Sequence, residues 1–182
     1  GRGARGRDPR RNGLVDSGSM ILTSEVALVD GQRQLGVAVR IDDGVITAVG
    51  PRATIVRDGD EVVDLGRRAM LPGTVNVHNH SFQSLLRGIG DDLPFLEWRE
   101  KALYRYSPLL GAEDMGTAAL FAFGEMLLHG VTTVCDFYYL NAQGNANATA
   151  TIEAAKRLGM RIVLARCFYD WDGAPASYRE TI

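Results

Sequence analysis

The chain has 182 residues, 46% apolar and 23% charged, and a net charge of -2. That composition suits the core of one domain plus a small satellite, and it excludes a disordered or fibrous chain. No run reaches the roughly 18 apolar residues of a bilayer span, and residues 20–182 hold fifteen basic against twenty acidic side chains, so neither a membrane nor a nucleic acid is the expected partner.

Residues 1–19 are rich in Gly and Arg and lack an apolar period. They read as a disordered basic tail, an upstream extension or expression remnant with Met20 as the natural start. They also lack the apolar stretch of a secretory signal, so the expected location is the cytoplasm.

Over residues 20–72 short apolar runs alternate with tight turns: Val26 to Val29 then Asp30-Gly31, Leu35 to Ile41 then Asp42-Asp43-Gly44, and Val45 to Val49 then Gly50-Pro51. Asp-Gly and Gly-Pro pairs between such runs are hairpin punctuation, which predicts a small antiparallel β domain, of sandwich type. Fifty residues of it would be marginal alone.

From Gly73 the rhythm changes to strands alternating with helices, the pattern of a parallel sheet. Val75 to His78 is the first strand. A helix over Glu113 to His129, stopped by Gly130, leads to a strand over Val131 to Asp136; another over Thr149 to Leu158, stopped by Gly159, leads to Arg161 to Ala165. Glycine is expected where a left-handed residue closes a helix. The fold class is therefore α/β. Three strands fall short of the eight of a closed (β/α)8 barrel, so residues 73–182 read as the N-terminal part of one, in a fragment of a longer polypeptide. Cys135 and Cys167 read as small buried hydrophobes in a reducing compartment.

The most telling residues are His78-Asn79-His80 at the end of the first of these strands. Side chains two apart on a strand point the same way, so the two imidazoles can share a metal ion. A divalent ion such as zinc takes such nitrogens, and a catalytic site leaves one position for water, which points to hydrolysis. Barrel enzymes also place their chemistry at the carboxyl ends of strands. Near this pair, Arg87 fits either a substrate carboxylate or a helix-end contact with solvent. Asp136, at the end of the second strand, fits either a functional position or a loop cap. His129, beside Gly130 at a helix end, reads as structural.

Met70-Leu-Pro-Gly-Thr-Val-Asn-Val-His78-Asn-His80-Ser-Phe-Gln83, followed by Leu127-Leu-His-Gly-Val-Thr-Thr-Val134, resembles the amidohydrolase superfamily of metal-dependent hydrolases, in its cyclic deaminase and chlorohydrolase branch. Phe95-Leu-Glu-Trp98 and Phe137-Tyr-Tyr139 are similar to the formimidoylglutamate deiminases. The likeness extends from Leu22 to Ile182. It implies a partial TIM (β/α)8 barrel, with His78 and His80 as ligands of a zinc ion, or sometimes iron. It also implies that Gln83 contacts a small-molecule substrate, the alternative being a helix-start residue bonded to nearby backbone. Trp98 would line a pocket lid, unless it simply packs. A homo-oligomer is expected of the full-length protein.

Relatives complete the site with a third histidine, a proton-handling pair and an aspartate on later strands. A chain with three histidines in all has no room for these. It is therefore expected to hold no complete catalytic set and to be inactive alone. The implied reaction is hydrolytic deamination at a carbon–nitrogen bond outside peptides. Dechlorination on the same scaffold and a non-catalytic scaffold protein are the alternatives, and two imidazoles on one strand disfavour the last.

Overall fold

The computed structural model describes residues 18–169 and 172–180. The basic tail therefore lies, apart from Gly18 and Ser19, outside the described residues. The chain divides into two compact units, Gly1–Pro72 and Gly73–Ile182.

The first unit is built on β1 (Ser19–Val29), β2 (Gln32–Asp42) and β3 (Val45–Pro51), an antiparallel meander. Both hairpins close on Asp-Gly with positive φ at each residue, 50° and 73° at Asp30 and Gly31, 50° and 78° at Asp43 and Gly44. Two such residues match the right-handed twist of the flanking strands. Gly50-Pro51, expected to turn a hairpin, instead leads into a short helix α1 (Arg52–Ile55). Proline suits that entry because it lacks only a donor that the first helical turn leaves unpaired.

Strands β4 (Val62–Asp64) and β5 (Ala69–Met70) then join opposite halves of β1 in parallel. The sheet is thus mixed, where antiparallel pairing throughout was expected. Arg40 grips both oxygens of Asp60, at 3.1 and 2.6 Å, and donates to the Ile55 carbonyl, tying the segment after β3 to β2. Ile21, Ala27, Val37 and Ala38 form the buried centre of this unit.

The second unit carries a parallel three-stranded sheet in the order β6 (Thr74–Asn79), β7 (Val131–Tyr138), β8 (Arg161–Arg166). After β6 the chain forms a 3-10 helix over Ser81–Leu86. It then runs through α2 (Phe95–Trp98), a π-helical turn Arg99–Leu103, α3 (Tyr104–Tyr106) and α4 (Ala112–Leu128). Helix α5 (Ala146–Leu158) connects β7 to β8.

Helix α4 starts where the Asp114 carboxylate accepts the Gly111 N–H at 2.9 Å, and Glu113 and Asp114 complement the positive helix end. Helix α5 stops at Gly159, whose φ of 71° lets the Met160 N–H reach back to the Ala155 carbonyl. Ala119 and Ala122 of α4 and Ala154 and Ala155 of α5 pack with Phe123, under Val134 of β7.

Two one-residue register shifts break the β6–β7 ladder. Between Thr74 and Val75 of β6 the partner strand advances from Val131 to Thr133, so Thr132 is the extra residue. The second shift is the reverse: Asn76 pairs Val134 and Asn79 pairs Asp136, leaving Val77 and His78 opposite Cys135. Since side chains alternate along a strand, one extra residue moves every later side chain to the other face. Val134 and Asp136 point into the buried layer. The shift keeps Asn79 with Asp136 and turns His78 and His80 to the opposite face, which an unbroken ladder would have denied them. Asn76 supports it by accepting the His78 backbone N–H on its side-chain oxygen at 3.1 Å.

Candidate metal centre

The two imidazoles converge. Nε2 of His78 and Nε2 of His80 lie 3.2 Å apart, with the ring planes nearly perpendicular at 86°. His80 Nδ1 lies 3.0 Å from the Phe137 carbonyl. A carbonyl only accepts, so His80 Nδ1 carries a proton, and in the neutral ring that leaves Nε2 as the acceptor. This is the tautomer that a metal-binding imidazole needs, fixed by an outer partner. The Phe137 ring stacks on His78 at 4.5 Å.

The spacing fits a shared cation. With metal–nitrogen bonds of about 2.0–2.1 Å, a separation of 3.2 Å corresponds to an angle of roughly 100° at the metal, near the tetrahedral value. Among the described residues no group of three or more His, Cys, Asp and Glu is placed to hold a metal. The histidine pair therefore offers a cation two nitrogens and no third group from this set among the described residues.

Both histidines line a cavity of about 520 Å³. Its walls include Gln83, Trp98, Arg99, Tyr139 and Tyr178. Gln83 donates from Nε2 to the Tyr139 hydroxyl at 2.7 Å and from its backbone N–H to the His80 carbonyl at 3.0 Å. Trp98 lines the same cavity and also packs on the buried cluster, with Phe95 stacked beside it at 6.1 Å.

Arg87 lies apart from that cavity. It pairs with Glu125 of α4 and sits 5.0 Å over the Phe121 ring. His129 caps its own helix by donating from Nδ1 to the Glu125 carbonyl. Cys135 and Cys167 are free thiols of intermediate burial.

The aromatic wall was not legible as a site in the sequence. Tyr139 follows β7, while Tyr104, Tyr169 and Tyr178 come from three distant segments, and Tyr139 contacts both Tyr169 (4.9 Å) and Tyr178 (4.8 Å). Burial pushes the phenol of Tyr139 far up, and the neighbouring Tyr178 adds to this, against the hydrogen bond from Gln83. Tyr139 therefore stays a neutral hydroxyl. Asp136 is 1% exposed and accepts from Asn79 Nδ2, Ser81 N and Ser81 Oγ at 2.7, 2.7 and 2.6 Å. Burial raises its pKa, opposed by the hydrogen bonds from Ser81 and Asn79.

A model of the Amidohydrolase family matches residues 69–182. The chain belongs to the amidohydrolase family. Over 163 residues this amidohydrolase is 33% identical to a 5-methylthioadenosine/S-adenosylhomocysteine deaminase of Syntrophobacter fumaroxidans, a match covering 88% of this chain and 35% of that protein. Its structure is similar to an adenosine deaminase from Xanthomonas campestris with bound zinc (TM-score 0.63, 25% identity, 79% of this chain and 33% of that one). It is also similar to the zinc complex of atrazine chlorohydrolase from Arthrobacter aurescens (TM-score 0.76, 24% identity, 89% and 40%), a likeness of fold alone. The chain spans about a third of the length of the curated relatives it matches, 35% and 31% for two of them.

Proposed function

We propose that the whole protein is a metal-dependent hydrolase that deaminates an aromatic N-heterocycle, and that His78 and His80 supply two ligands of its metal, zinc by preference. The observation that carries this is the 3.2 Å approach of two imidazole Nε2 atoms at the edge of a cavity, with the His80 tautomer fixed by Phe137. Zinc in the related structures supports the choice of metal.

When bound, the metal supplies Lewis acidity that lets water attack near neutral pH. The chain's own residues do the rest of what this part contributes. His78 and His80 act as neutral donors and not as bases. Gln83, held by Tyr139, presents its amide to the substrate, and Trp98 with the tyrosines offers flat apolar faces to a planar ring. The aromatic lining favours a heterocycle such as the purine of the nucleosides named for the relatives.

Deamination is preferred over dechlorination because the deaminases are the relatives above 30% identity, whereas the chlorohydrolase likeness is at 24% and extends to fold alone. The unit after Gly73 is proposed to be part of a (β/α)8 barrel. Val75, Val77 and Val163 are 60, 72 and 60% exposed on its sheet, and parallel sheets bury both faces. A second layer over the small sheet, making a sandwich, is proposed because Leu35, Val45 and Ile46 are more than half exposed on it. No helix among the described residues is long and apolar enough to cross a membrane; the free cysteines fit a reducing compartment, the cytoplasm, and the full-length protein is proposed to be a homo-oligomer.

The test is product analysis on the full-length protein loaded with zinc. Ammonia released from 5-methylthioadenosine, and lost in His78→Ala and His80→Ala, is the expected result. Chloride released from a chlorinated triazine with no ammonia from any nucleoside would overturn deamination.

A further inference from the structure

We infer that Asp136 is a positioning residue for the histidine pair, acting on His80 through the two residues that flank it. The inference rests on the metal reading above for its purpose but not for its geometry. Asn79 precedes His80 and Ser81 follows it, and the Asp136 carboxylate takes hydrogen bonds from both: Asn79 Nδ2 and Ser81 N on one oxygen, Ser81 Oγ on the other. The next residue of the same strand, Phe137, accepts the His80 Nδ1–H. Two successive residues of β7 thus fix both the backbone around His80 and the tautomer of its ring.

The need for such a clamp follows from the register shift in β6. An extra residue leaves the ladder unpaired at Val77 and His78, and the chain leaves the strand at His80 with φ of -134° and ψ of 84°. The β6–β7 pairing is interrupted at Val77 and His78 and ends with Asn79 opposite Asp136, beside the point where the two rings lie within 3.2 Å. Asp136 fastens that end with three bonds at 2.6 to 2.7 Å from a site that is 1% exposed, where charge-assisted bonds are strong and an orphaned donor is costly. A cap for the loop after β7 would bond within that loop, whereas the three hydrogen bonds described for this carboxylate come from the residues on either side of His80.

The test uses the 182-residue chain and the variants Asp136→Asn, Ser81→Ala and Asn79→Ala, with Phe123→Leu as a control whose change lies in the other buried cluster. Two readouts are taken near pH 8, where free imidazoles are neutral: the nitrogen-15 signature of the His80 tautomer, and the affinity for Co2+ or Zn2+. The wild type is expected to show a slowly exchanging Nδ1–H on His80. Asp136→Asn is expected to shift that ring toward the Nε2–H form and to weaken metal binding roughly 10- to 100-fold, the range for outer-shell partners, while Phe123→Leu lowers stability and leaves both unchanged.

A wild-type tautomer and affinity in Asp136→Asn overturns the inference. Should Asp136→Asn fail to fold, the single-bond variants decide: an unmoved His80 tautomer in both Ser81→Ala and Asn79→Ala overturns it. A tautomer that depends on Asp136 in a chain that takes up no metal upholds the positioning role and sinks the metal reading instead.

Discussion

Replacing Gly73 with alanine probes how the histidine strand is seated. A Cβ added there would overlap the side chain of Thr132, its Cβ only 2.9 Å away and its Oγ1 and Cγ2 nearer still. Gly73 is not among the glycines with positive φ, so this approach alone calls for glycine. Thr132 is the extra residue of the first register shift, which has no partner on β6, and it crowds Gly73 for that reason. Overpacking of this kind costs about 2–3 kcal/mol, and alanine returns about 0.5–1 kcal/mol by stiffening the unfolded chain. The net loss is about 1–2.5 kcal/mol, which moves a urea midpoint down by about 1 M at an ordinary slope. In a Thr132→Ala background the two nearest atoms are gone, and the loss should fall by at least half, a coupling of about 1 kcal/mol. Urea unfolding of the four proteins measures it. An unchanged midpoint in Gly73→Ala, or an equal loss with and without the Thr132 side chain, refutes the close-approach reasoning.

The buried phenols set the alkaline limit. Burial holds Tyr139 and Tyr178 well above the usual tyrosine range and pushes Tyr138 up to about 12. Their contribution is complete below the unfolded value of about 10 and is lost as pH rises above it, because only the unfolded chain ionises there. Absorbance titration should show these phenols ionising together with unfolding, and a smooth titration of all six tyrosines in the folded chain would contradict this. At the acid end, the hydrogen bond from Arg40 and then the backbone of Arg57 hold Asp60 below its ordinary pKa. Its contribution is present above the unfolded value and fades as pH falls through the lowered one, so the stability gap between wild type and Asp60→Asn should be widest near neutrality. It should close below about pH 4; a gap that grows on acidification rules out the ion pair as its source. The 182-residue chain by itself should show no turnover with 5-methylthioadenosine, and robust metal-dependent ammonia release from it would disprove the partial ligand set.

Local chemistry carried much of this fold in plain view. The Asp-Gly turns announced themselves because two consecutive residues with positive φ are scarcely tolerated elsewhere, and Gly159 marked the end of α5 for the same reason. His-x-His was legible as a pair on one face. What the pattern could not carry was the register. Alternation says that His78 and His80 agree with each other, and only the β7 partner says which face they take; the extra residue at Val77 and His78 decides that, with no local signature beyond Asn76. Gly50-Pro51 looked like a hairpin because a helix of four residues leaves no periodic trace. Gln83 was visible, yet its partner Tyr139 lies 56 residues on, and the tyrosine wall gathers side chains from segments with no common period. Asp136 stood out by its strand-end position, while its partners, 55 and 57 residues back, did not.

His78 and His80 are proposed to share one divalent cation. Titration of the purified chain with Co2+, followed by its visible absorption, tests that directly. One ion per chain, bound through nitrogen and lost in both His78→Ala and His80→Ala, is the predicted result. Uptake that survives removal of both histidines, or none at millimolar Co2+, would rule out a shared ion.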